Sequence, residues 1–120
     1  MSVAFIHNRL ADAMLIFSVV AGAWGLVAYV RRQGVTPSYW GILVMAELLY
    51  GAQGVVGILL WLQGLSPARG IHWLYGAVAL LTLPGYFALS RGRDDRRAAL
   101  AYGLLSLFLA GIGLRAAGTG

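Results

Sequence analysis

Cysteine and lysine are both missing from this 120-residue chain. Without cysteine there is no disulfide, no thiolate metal site and no cysteine nucleophile. Charge is scarce too. Four acids and nine bases, all of the bases arginine, make up 11% of the residues, where a soluble domain carries roughly 25%. There are only two histidines and three prolines. No phosphate loop, catalytic triad, acid pair or nucleic-acid motif is found. A formal charge of +5 would suggest nucleic acid in a soluble protein. Here the arginines flank apolar runs, so no nucleic-acid partner is expected.

What is abundant is apolar: 60% of the residues. They fall in four blocks, about 3–30, 38–62, 71–90 and 98–117, separated by "GVTP", "GLSPARG" and "RGRDDRR". Each block is long enough, at ~1.5 Å per residue, to cross a hydrocarbon core of ~30 Å. Inside lipid the backbone must satisfy itself, so the blocks are predicted to be helices. The expected fold class is all-α: an integral membrane four-helix bundle, one transmembrane domain over residues 1–120. The first block has no basic region before it and no A-x-A cleavage site after it, and reads as a retained helix, not a signal peptide.

Arginine placement predicts orientation. Arg31, Arg32, Arg91, Arg93, Arg96 and Arg97 lie in the loops after the first and third blocks; Arg9, Arg69 and Arg115 lie at the other end. Cytoplasmic loops carry the excess, which places both termini on the extracytoplasmic side of a prokaryotic-type cytoplasmic (inner) membrane. Tyr39, Trp40, Trp61 and Trp73 lie near helix ends, where amphipathic rings favour the interface.

At 100° per residue His7 shares a face with Ala11, Met14, Ser18, Ala21, Gly22 and Gly25. His72 shares one with Tyr75, Gly76, Ala79, Leu83 and Tyr86. Gly103, Ser106, Ala110 and Gly113 cluster in the fourth block. Membrane helices pack through small residues, so these faces are expected to look inward. Arg9 and Asp12, three apart, read as an interfacial ion pair. Gly51, Gly54 and Gly57 read as packing glycines. "LTLPGYF" reads as a kink at Pro84-Gly85.

Glu47 lies nine residues into the second block, ~14 Å deep. A carboxyl there costs on the order of 3 kcal/mol and is a functional candidate. It is the candidate proton- or ion-coupling residue; the bland alternative is a neutral acid hydrogen-bonded to Tyr50. Four-helix multidrug-type exporters also carry one intramembrane Glu, but in their first helix.

The two histidines open similar stretches, "IHNRLADAML" and "IHWLYGAVAL". The match is too short to establish a duplication. On like-directed helices at one end, two imidazoles are candidate axial ligands of one haem iron. The alternative is a pair of imidazoles hydrogen-bonded to water or backbone. Counting from Arg31 and Arg91 leaves the two about 8 Å out of level. At "YGAQGVVGILLWLQGLSPARGIHWLYGAVALL" the chain resembles the four-helix haem-binding units of cytochrome b561-type proteins and of haem A synthase. That resemblance implies haem b held by His7 and His72; Ala11, Tyr75 and Gly76, on the same helix faces, are the further candidate cofactor-binding residues. Three functions follow as expectations. The first is a haem b-binding electron-transfer protein, or the haem-bearing anchor of a redox complex, with a redox partner at the outer face. The second is a cofactor-free accessory or assembly subunit among other membrane subunits or in a homo-oligomer. The third is a proton-coupled antiporter using Glu47. In all three the bundle lies in a lipid bilayer, and a catalytic activity of its own is not expected.

Overall fold

A computed structural model describes residues 2–120. Within them the chain forms four helices and no strand: α1 Val3–Val30, α2 Pro37–Leu62, α3 Ile71–Leu89 and α4 Arg96–Ala117. All four are long and apolar enough to cross a membrane.

Local chemistry sets the ends. Ser2 Oγ accepts from the Phe5 N–H, Thr36 Oγ1 from the Tyr39 N–H and Asp95 Oδ1 from the Ala98 N–H. Each is a side-chain oxygen satisfying an orphan donor of the first turn. The Asp95 cap lets α4 begin two residues before the apolar block. Pro37 occupies the first turn of α2, where its missing N–H costs nothing. Gly64 follows α2 at φ +85°, a conformation other residues enter at a cost. Helix α3 runs through Pro84 as one helix.

Neighbours in sequence are neighbours in space, and α4 returns to α1, closing a ring in which α1 and α3 stand diagonally. The α1–α4 contact is the most extensive. A Cβ on Gly25 would lie 2.6 Å from both Ala99 O and Gly103 Cα, and one on Gly103 would lie 3.1 Å from the Gly22 carbonyl oxygen. The two backbones touch, which only glycine allows. The loops at this helix pair's lower end are tied as well. Val35 N–H donates to Asp94 O at 2.7 Å. The Arg96 Nε–H donates to Tyr29 O at 2.7 Å, with its guanidinium 3.9 Å above the Tyr29 ring.

Tyr39, near a helix end, turns into the bundle. It is fully buried, its hydroxyl donates to Ala21 O at 2.7 Å, and its ring stacks on Trp24. Trp40 turns inward too, edge-on to Tyr102 and Phe87. Position along a helix does not reveal an acceptor on the next one. Arg9 and Asp12 do pair, exposed, at 3.8 Å. The outer faces carry Val30, Leu48, Leu62, Leu81 and Leu89, all well exposed, a surface suited to lipid contact.

Two outcomes follow. Gly25→Ala forces α1 and α4 apart and lowers stability by about 1–3 kcal/mol. Gly51→Ala, where an added Cβ meets nothing within 4 Å, is neutral or slightly stabilising; thermal unfolding in detergent measures both. The Asp95 carboxyl is held below its usual value, first by the Ala98 N–H and then by Arg93. Its contribution is therefore complete above the ordinary carboxylate value of 3.8 and drains away as pH falls through the lowered one. The melting temperature of Asp95→Asn will fall less on acidification than that of the parent chain.

Candidate functional site

Polar side chains inside the bundle are few; Tyr102 and Ser106 lie on α4, and most of the others follow one course. On α2 they recur every third residue: Glu47, Tyr50, Gln53. That spacing climbs about 9 Å and winds a third of a turn around the helix. Glu47 shares its face with Trp40, two turns below, which meets Phe87 of α3 and Tyr102 of α4. The carboxyl is half-buried, and Oε2 is buried with no hydrogen-bond partner. Tyr50, one turn above, is buried and its hydroxyl pairs with Ser18 of α1. Gln53 has reached the α1 side, where Nε2 donates to His7 O at 2.8 Å. Its Oε1 is again buried and unpartnered.

His7 continues the course. A Cβ on Gly57 would lie 3.5 Å from His7 Cε1, so the ring packs where α2 has no side chain. His7 Nδ1 is the third buried polar atom on this course without a partner. The His72 ring is 6.3 Å from it, centroid to centroid. The two imidazoles come together at one end of the bundle, although their helices are diagonal and counting put them out of level. His72 Nδ1 lies 3.0 Å from Ala116 O and 3.2 Å from Thr119 Oγ1. A carbonyl oxygen only accepts, so Nδ1 carries the hydrogen and Nε2 is the nitrogen that can take up a proton.

The haem b expected between His7 and His72 does not fit. Among the described residues no three His, Asp or Glu side chains gather into a group that could hold a metal ion. Both histidines are only half-buried. Gly76, expected to admit a flat macrocycle, lies on the exposed side of α3, where an added Cβ meets nothing within 4 Å. Ala11 and Tyr75 are half-buried. The end of α4 crowds the His72 ring: a Cβ on Gly120 would be 2.9 Å from Cε1.

Glu47 was visible in the sequence as the one deep carboxyl. Gln53 and Thr119 were not singled out. Gln53 stands within the glycine stretch "GAQGVVG", where its place in the every-third-residue series Glu47, Tyr50, Gln53 was the available signal. Thr119 lies beyond the last apolar block, and nothing in its surroundings marked it.

Comparison with protein-family models, with curated proteins and with solved structures gave no match. The likeness to cytochrome b561-type and haem A synthase units gains nothing from them.

The hydrogen-bond geometry at His72 is directly checkable. Nitrogen-15 NMR of the labelled chain in micelles will show the Nδ1–H tautomer for neutral His72; an Nε2–H tautomer would contradict the bond to Ala116 O.

Proposed function

We propose that the chain is a small proton-coupled membrane carrier in which Glu47 holds the exchanged proton, in the manner of an antiporter for cations. The observation that carries this reading is the buried, unpartnered Oε2 of Glu47 in the middle of α2. A carboxyl in an apolar bundle with no basic partner must bind a proton or a cation to remain there. It therefore binds the two in competition, which is the elementary requirement of exchange. Gln53 Oε1 and His7 Nδ1, also buried and unpartnered, supply acceptors between Glu47 and the end of the bundle where His72 lies. The arginine bias favours that end being outside, so protons would enter through the histidines.

The test is uptake of a lipophilic cation, tetraphenylphosphonium, into liposomes driven by an imposed pH gradient. The parent chain is expected to exceed empty liposomes, and Glu47→Gln to fall to their level. Uptake that survives Glu47→Gln, or a parent chain no better than empty liposomes, ends the reading.

A second reading, that of a cofactor-free subunit assembling with other membrane helices, is favoured by α3. That helix buries only Ala79 and Leu83, leaving Leu74 and Leu81 outward. A second copy of the chain is the first partner to consider. Because the chain has no cysteine, Leu81→Cys gives a clean cross-linking site. Disulfide-linked dimer in membranes supports assembly through α3, and monomer alone opposes it.

A further inference from the structure

At the end of the bundle that carries the histidines, the segment before α3 meets the end of α4. The Arg69 N–H donates to Thr119 O at 3.1 Å, and the two segments enclose a hollow of about 190 Å³ lined by Arg69, Leu114, Arg115, Gly118 and Thr119. Two arginines from different segments thus border one concavity. The ion pairs among the described residues are Arg9–Asp12 and Arg93–Asp95, and neither Arg69 nor Arg115 takes part in one. Three backbone acceptors at this turn are engaged; Arg115 O takes the Gly118 N–H. Thr119 O takes the Arg69 N–H, and Ala116 O takes the N–H groups of Thr119 and Gly120. Thr119 itself is buried while both arginines are exposed, so the charged groups stand at the mouth and the floor is formed by the chain turn.

Depth completes the picture. Trp73, on the first turn of α3, meets Trp61 of α2 edge-on at 6.2 Å, and both rings are half-exposed. Tryptophan at such a position marks the level of lipid headgroups. Guanidinium groups bind phosphate through two parallel N–H···O bonds, and basic pockets between membrane helices take phosphorylated headgroups. We infer that the Arg69–Arg115 hollow is a binding site for a phosphate-bearing anion, with the headgroup of an anionic phospholipid as its source at this depth. Leu114, with its side chain largely exposed, provides the apolar edge along which such a lipid would continue.

The experiment uses the full chain in non-ionic detergent, with phosphatidylglycerol, phosphatidylcholine and inorganic phosphate as separate probes. Native mass spectrometry and thermal shift read binding. Phosphatidylglycerol is expected to bind and to raise the melting temperature. Its binding should weaken about tenfold in Arg69→Gln/Arg115→Gln and stay unchanged in Arg9→Gln, which removes a charge at the same end. Protection by phosphatidylglycerol alone assigns the lipid as source; equal protection by inorganic phosphate assigns the free anion at the same site. Binding that persists in the double variant, that falls equally in Arg9→Gln, or that is as strong for phosphatidylcholine overturns the inference. Neither guanidinium forms an ion pair among the described residues, and a parent-like melting temperature without lipid confirms that the double variant is folded.

Discussion

The rest of the molecule depends on the backbone contact between α1 and α4. Gly25 meets the backbone of Ala99 and Gly103, and Gly22 that of Gly103, with the Leu107 side chain packed on Gly22 and the Tyr39 hydroxyl on Gly25. In lipid, helices gain little from burying apolar surface against each other, because lipid tails are equally apolar. Close approach and interhelical hydrogen bonds have to do that work. The contact brings the last helix back to the first and makes a closed ring of four instead of an open row. It also brings the two loops at one end together, where Val35 bonds to Asp94 and Arg96 covers Tyr29.

The firm pair leaves the other two helices to supply the interior chemistry. Helix α2 contributes Tyr39, buried against α1, and above it the winding series Glu47, Tyr50 and Gln53. Two members of that series are anchored on α1, Tyr50 through Ser18 and Gln53 through the His7 carbonyl. Glu47 is the one with no hydrogen bond to another helix, and it shares its face with Trp40, which meets Phe87 of α3 and Tyr102 of α4. A carboxyl costing on the order of 3 kcal/mol in the middle of an apolar helix is the feature on which the proposed exchange of proton for cation rests.

The four helices were legible because lipid imposes a length and an apolar composition that few other constraints can mimic. Their ends shifted by a residue or two where Pro37 and Asp95 set the first turn. The inward faces were legible from small residues at helical spacing, but which helices would touch was not, since Gly25 alone does not say that Gly103 will face it. Glu47 was legible by its depth. The histidines were legible as a pair at one end, yet counting from Arg31 and Arg91 treats both helices as upright and level and ignores the reach of the side chains. The haem was the error of inference. Two imidazoles on suitable faces are a minimum; a macrocycle also needs a slot, and with Gly76 turned outward and Gly120 against His72 there is none. A slot is a property of three dimensions that spacing along a chain does not contain.

In the proposed carrier Glu47 exchanges its proton reversibly inside the membrane. Infrared difference spectroscopy of the chain in lipid, titrated over pH, observes that carboxyl directly. The account predicts a protonated-carboxyl C=O band that disappears reversibly as pH rises, shifts when tetraphenylphosphonium is added, and is missing in Glu47→Gln. A spectrum in which no carboxyl band depends on Glu47, or in which that band responds to neither pH nor cation, would contradict it.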